Sequence, residues 1–286
     1  MFKIGTLADW FGVGLLEGIR ESERCGATGV QIYAWSELNP LTITAEELKR
    51  IKKTAVDCHQ EITALCGELG GHGLEIAKDN GKKLEYLKRT VDVALELDCN
   101  VVTTHIGRVP EDKTVERYAI LKEACIQIGE YAASQGAFIA VETGPEKVVT
   151  LKSFIDDCGI KGLAINYDPA NLVMVTRDDE VAGVYTAGDT IVHTHAKDGR
   201  CNKYIGPEAV YEIFAQGNIE TLAAENLFTE LPLGQGDVRW YEYLTALKEV
   251  GYNGYLTIER EVSANATADI RLAVKFLQNM IEKYNF

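Results

Sequence analysis

The chain has 286 residues, 46% of them hydrophobic and 25% charged, an ordinary globular composition. Its formal net charge of −14 at pH 7 repels polyanions, so nucleic acid is not an expected partner. No apolar run is long enough to span a bilayer, the opening MFKIGTLADW lacks a signal-peptide layout, and the seven cysteines include no CxxC pair; a soluble, cytoplasmic protein with reduced thiols and no membrane partner is expected.

Short β-rich runs recur between longer stretches of helical spacing, the pattern of repeated βα units around a parallel sheet. In chain order the expected strands are 3–7, 29–33, 61–66, 100–106, 137–143, 162–168, 190–195 and 254–259. Between the second and third lies TAEELKRIKKTAVDCH, with Thr44 as N-cap and Glu47 at the capping-box position. NGKKLEYLKRTVDVALELD follows the third strand, and TVERYAILKEACIQIGEYAASQG, closed by Gly136, follows the fourth. Eight strands each leading into a helix predict a single α/β domain over residues 1–286, a (β/α)₈ TIM barrel. An open doubly wound sheet is the weaker alternative, because no Gly-rich phosphate fingerprint follows the first strand. The longest departure from the repeat is GNIETLAAENLFTELPLGQG, residues 217–236, read either as a loop closing over the active site or as a surface excursion.

Active sites of such barrels lie at the C-terminal strand ends. Four consecutive expected strands end on chemistry-bearing residues: FIAVET on Glu142, LAINYD on Asp168, IVHTH on His195 and YLTIE on Glu259. Side chains alternate along a strand. Placing these four inward puts Ala140, Asn166, His193 and Thr257 inward too, and turns mostly apolar residues toward the helices. Any one acid could be a helix cap or a solvated loop residue, but carboxylates crowded on one axis repel and must protonate or acquire a cation. Three oxygen donors and one nitrogen suit one divalent metal ion: Mn²⁺ first, with Mg²⁺, Co²⁺ or Zn²⁺ as alternatives.

Around this core His105, at the end of the fourth strand, and Asn171, in DPAN, are candidate substrate contacts. His193 lies one layer below His195, as an orienting or packed histidine or a further contact. Lys197, Arg200 and Lys203 form a basic cluster after the seventh strand, where many barrels hold anions, which admits a phosphorylated substrate.

With these residues, and with IGTLADWFG, GVQIYAW, ITALCGELGG, VVTTHIG, VETG, NYDPANLVM, HTHAKDG, PLGQGDV and GYLTIERE, the chain resembles the xylose isomerase-like barrel superfamily of sugar phosphate isomerases and epimerases. The resemblance to its ketose 3-epimerases implies a metal held by Glu142, Asp168, His195 and Glu259, with Glu142 and Glu259 doubling as the catalytic acid-base pair. The three-zinc endonucleases of the superfamily fit less well: LCGELGG supplies no histidine, Asn171 stands where one is expected, and ELPLGQG lacks one. The expected activity is metal-assisted proton abstraction beside the carbonyl of a ketose, ketose phosphate or related keto-sugar, in a chain that could be a homo-oligomer. The alternatives are a metal-dependent lyase or dehydratase acting on a keto-glycoside or dehydroshikimate-like substrate, and a non-catalytic sugar-binding protein.

Overall fold

The computed structural model describes residues 1–217 and 225–286. Its centre is a closed parallel barrel of β1 (Lys3–Leu7), β2 (Gly29–Tyr33), β3 (Glu61–Cys66), β4 (Val101–Thr104), β5 (Phe138–Glu142), β6 (Leu163–Tyr167), β7 (Ile191–Ala196) and β10 (Tyr255–Ile258), with β10 completing the ring between β7 and β1. Around it stand α1 (Leu15–Cys25), α2 (Ala45–Asp57), α3 (Ala77–Glu96), α4 (Glu116–Ser134), α5 (Val148–Cys158), the short α6 (Pro169–Asn171), α7 (Glu180–Ala187), α8 (Pro207–Ala215), α9 (Trp240–Glu249) and α10 (Ala266–Tyr284). The expected (β/α)₈ architecture is the observed one, and the open sheet is excluded by closure.

Local chemistry sets the helix ends. Thr44 and Glu47 form the expected capping box: the Thr44 hydroxyl accepts from the Glu47 N–H at 3.3 Å, and Glu47 accepts from the Thr44 N–H at 2.8 Å. The apolar core lies between strands and helices, where Ile32, Leu65, Val102, Ile139 and Ile165 are fully buried against residues such as Leu87, Leu121 and Leu151.

The barrel interior is polar in its upper half and closed below by Tyr255, whose hydroxyl donates to the Thr28 carbonyl (3.2 Å) and Glu61 (2.9 Å). Gly29 makes room for that ring, since a Cβ at residue 29 would collide with Tyr255 and come within 2.6 Å of the Thr63 methyl. Register shifts between Val30 and Gln31 against β3, and between Ile165 and Asn166 against β7, re-aim the inward side chains at mid-strand.

Three expectations are corrected. β4 stops at Thr104, so His105 follows the strand rather than ending it, and Asp168 and Glu259 each lie one residue beyond β6 and β10. Asp198–Cys201, expected as open loop, is strand β8. It pairs antiparallel with β9 (Phe228–Leu231), so the described part of the 217–236 stretch includes one arm of a ribbon, and residues 218–224 of that expectation lie outside the described residues. Buried Asp198 pins the ribbon, accepting from the N–H groups of Gly234 (2.8 Å), Gly236 (3.2 Å) and Val238 (3.2 Å) and from the Trp240 indole (2.9 Å).

Gly29→Ala should lower unfolding stability by ~1–3 kcal/mol through overpacking at the barrel floor. Urea denaturation checks this, and an unchanged midpoint would show that Tyr255 moves aside freely.

Candidate active site

β5, β6, β7 and β10 are consecutive in the ring, so their C-terminal ends converge on one side of the mouth. Glu142, Asp168, His195 and Glu259 are all buried there, one ligand atom from each lying within 4.8 Å of the others. His195 Nδ1 is 3.2 Å from Glu259 Oε2, 3.4 Å from Glu142 Oε1 and 3.8 Å from Asp168 Oδ2. Both His195 Nδ1 and Asp168 Oδ2 are buried without a hydrogen-bond partner. Such an orphaned pair is costly unless something else satisfies it. A cation among the four side chains would do so, and the donor set of three carboxylates and one imidazole fits a divalent ion.

The electrostatics carry the same strain. Burial pushes the Asp168 carboxyl up despite His195 and Lys197 beside it. Burial opposes charge on His195, yet Glu259 and Glu142 lift its imidazole well above the usual histidine range. Burial would also raise Glu259, but His195 and Lys197 hold it below the ordinary carboxylate range.

A layer of hydrogen bonds beneath the cluster orients each group. His195 Nε2–H donates to Gln31 Oε1 (3.0 Å), which leaves Nδ1 facing the carboxylates, and the Gln31 amide donates to Thr103 (2.9 Å). Asn166 donates to Glu142 Oε2 (3.1 Å) and accepts from His193 Nδ1 (2.8 Å), while His193 Nε2 meets the Thr257 hydroxyl at 3.1 Å. Asp168 divides its oxygens: Oδ1 caps α6, accepting from Ala170 (2.7 Å) and Asn171 (3.0 Å), and Oδ2 is the orphan. The helix-cap reading and the ligand reading of that aspartate are therefore compatible.

The structure sorts the other candidates. Asn171 donates to Glu142 Oε1 (3.0 Å) and to the Thr143 carbonyl (3.2 Å), so it positions the glutamate. Both ring nitrogens of buried His193 face protein partners, which places it in the supporting layer rather than against a substrate. His105 stands at the mouth, with Nδ1 2.8 Å from Glu68 and Nε2 3.7 Å from Glu142 Oε1. Burial opposes its charge, but Glu142 and Glu68 raise its imidazole to about 10.

Each member of the basic cluster has a carboxylate partner among the described residues. Lys197 is buried and bound to Glu259 (3.0 Å) and Glu261 (2.6 Å), Arg200 pairs with Asp237 (3.2 Å), and Lys203 pairs with Glu225 (2.7 Å). Gln31, Glu68 and Thr103 were not singled out from the sequence, although a glutamine at an inward position of the apolar run GVQIY was a signal for the first.

Residues 19–280 match the xylose isomerase-like TIM barrel family. The chain belongs to this family. A xylose isomerase domain protein from Planctomyces limnophilus is 26% identical in solved structure, with a TM-score of 0.80 over 100% of this chain and 99% of that one. An L-ribulose 3-epimerase shares the fold at 16% identity and a TM-score of 0.76, over 100% of this chain and 96% of that one. An uncharacterized protein of Methanocaldococcus jannaschii is 25% identical over 211 residues, 70% of this chain and 64% of that protein, so the chain spans less than two thirds of this relative's length. No helix among the described residues is long and apolar enough to cross a membrane.

Chelator-treated protein titrated with Mn²⁺ in a calorimeter should show one site, lost in His195→Ala and weakened ~10–100-fold in Gln31→Leu, which removes the acceptor that orients the imidazole. Unchanged affinity in both variants would rule out a metal at these four residues.

His105 should be protonated at pH 7.5 in metal-free protein by imidazole NMR, because its folded value lies above the ordinary one. Its stabilising contribution is full below about 6.5 and disappears as pH rises through about 10. Mn²⁺ or diamagnetic Mg²⁺ should lower that value by competing for the Glu142 charge, and no downward movement with bound Mg²⁺ would count against the Glu142 contact.

Proposed function

We propose that this chain is a divalent-metal-dependent sugar isomerase or epimerase acting next to the carbonyl of a ketose or related keto-sugar. The observation that carries this reading is the convergence of Glu142, Asp168, His195 and Glu259 at the mouth of the barrel, with His195 Nδ1 and Asp168 Oδ2 buried and unpartnered. Family membership and the shared fold of an L-ribulose 3-epimerase favour the same chemistry.

Glu142, Asp168, His195 and Glu259 would hold the ion, Mn²⁺ in first place. Once bound, it would act as a Lewis acid that polarises the carbonyl and acidifies the adjacent C–H. The remaining work falls to the protein. One glutamate removes the carbon-bound proton and the electron pair moves toward the carbonyl oxygen; the proton is then returned to carbon. Glu142 and Glu259 stand on strands separated by β6 and β7, so they approach a substrate from different directions. Return from the opposite face inverts the carbon and gives epimerisation. Return to the neighbouring carbon gives aldose-ketose isomerisation.

The supporting residues fit these roles. Asn166 and Asn171 engage both oxygens of Glu142 through neutral amides and fix its orientation. Lys197 keeps Glu259 ionised and immobile through its contact at 3.0 Å. His105, charged and at the mouth, is placed to donate a hydrogen bond to a substrate oxygen.

Solvent deuterium exchange at the substrate carbon, followed by NMR over a panel of ketoses, ketose phosphates and keto-glycosides, tests the proposal. Metal-loaded protein should exchange one member, and Glu142→Gln and Glu259→Gln should each slow exchange ~10²–10⁴-fold. Full exchange in both variants would overturn the two-glutamate mechanism. Exchange undiminished after metal removal would overturn the metal dependence, and absence of exchange with bound metal would move the reading to lyase or sugar-binding activity.

A further inference from the structure

Beyond β10 from the Lys197 side of the mouth, the ends of β1 and β2 carry an aromatic wall that the proposed chemistry does not use. Gln31 points inward to His195, and Tyr33, two residues further along the same strand, shares its face at the barrel rim. The Tyr33 ring stacks on Trp35 with centroids 4.4 Å apart and planes tilted by 15°, and meets the Trp10 ring edge-on at 6.0 Å. Burial foremost, with Cys66 and the carboxylates of Glu259, Glu261 and Glu142 nearby, pushes the Tyr33 phenol upward, as expected for a ring at the edge of the acidic cluster. Trp35 keeps 49% of its surface exposed, so this wall runs from the reacting centre out to solvent.

The same rings line a cavity of about 220 Å³ together with Asp9, Ser36 and Glu37. That is below the ~300 Å³ at which pockets hold drug-sized ligands, and suits a single ring. Its chemistry selects the ring. Aromatic faces take the apolar C–H face of a sugar or a flat aglycone. The carboxylates of Asp9 and Glu37 are anchored by the N–H groups of Tyr33 (2.9 Å) and Leu15 (2.8 Å), so they are fixed acceptors for hydroxyl groups and repel phosphate. Lys197, Arg200 and Lys203, the residues that would have drawn a phosphate, are each paired with a carboxylate.

We propose that Trp35, braced from behind by the stacked Tyr33 ring, forms a platform for a second, non-reacting ring of the substrate, making the substrate of this site a glycoside-type keto-sugar rather than a sugar phosphate. This identification of substrate class rests on the enolising reading above, whereas the platform stands on its own contacts. The reacting ring lies over the four-residue cluster, and the linked ring or aglycone stacks along the wall.

Calorimetric titration of the chelator-treated full chain with cellobiose, glucose and glucose 6-phosphate tests the platform without relying on catalysis. Cellobiose should bind at least tenfold more tightly than glucose, and glucose 6-phosphate no better than glucose. Trp35→Ala should lose at least tenfold for cellobiose while leaving glucose within about twofold, and Trp35→Phe, which keeps an aromatic face, should restore most of the loss. Cellobiose binding unaffected by Trp35→Ala, tighter binding of glucose 6-phosphate, or no cellobiose binding at millimolar concentrations would each overturn the proposal. Trp35-dependent cellobiose binding in a protein that exchanges no substrate proton would strike the enolising reading alone. Exchange on a monosaccharide with cellobiose binding indifferent to Trp35 would strike the platform alone.

Discussion

Three carboxylates and an imidazole buried within a few ångströms of one another are the constraint on which the upper half of this barrel depends. Buried like charges at such separation repel too strongly to be tolerated without a compensating positive charge. The protein supplies part of it through Lys197 on Glu259, and His105, its imidazole raised by the same carboxylates, faces Glu142 at 3.7 Å. What it leaves unpaired, Asp168 Oδ2 and His195 Nδ1, faces the centre of the cluster. A cation would reach those two atoms; Glu142 Oε2 and Asp168 Oδ1 are bound by Asn166 and the α6 N-terminus, whereas Glu259 Oε2, 3.2 Å from His195 Nδ1, is shared with Lys197.

That constraint also explains the departure of the barrel interior from a plain Val, Ile and Leu filling. Gln31, Thr103, Asn166, His193 and Thr257 are nearly inaccessible to solvent, so each must find partners inside. They find them in one another: His193 accepts or donates between Asn166 and Thr257, and Gln31 bridges Thr103 and His195. Removing one member would leave the next unsatisfied, at a cost of ~1–3 kcal/mol. The polar layer thus fixes the rotamers of Glu142 and His195 through elements of the barrel itself rather than through loops.

Much of this was legible in the sequence because strand parity is unforgiving. A one-residue error would have sent Glu142 or His195 into the helix layer, where Ile139, Val141 and Ile165 belong. The family resemblance and the parity argument therefore reached the same four residues. Strand ends were read one or two residues too long at β4, β5, β6 and β10; at the last two, Asp168 and Glu259 continue the inward direction just past the strand ends. The carboxylate partners of the basic run were not legible in the sequence for a different reason. Lys197, Arg200 and Lys203 are close in sequence, but their partners Glu261, Asp237 and Glu225 come from distant loops. Ribbon β8–β9 was hidden likewise, since DGRC has no apolar alternation and is held by Asp198 accepting from loop amides some 36–40 residues away.

The pairing of those cations bears on selectivity as well as stability. A site meant for a phosphate leaves a cation or a set of N–H donors uncommitted, since an anion must displace water and repay its desolvation. Here Lys197 is bound twice within the protein, and freeing it for a substrate would abandon buried Glu259 as well as the more exposed Glu261. Glu37 and Asp9 line the cavity beside Tyr33 and Trp35, where in the proposed binding mode a phosphate would meet their carboxylates. Neutral hydroxyls and apolar ring faces meet no such penalty. In the proposed glycoside binding mode the cleft would discriminate by what it refuses, and the burial of Lys197 against Glu259 would tie that refusal to the integrity of the four-residue cluster.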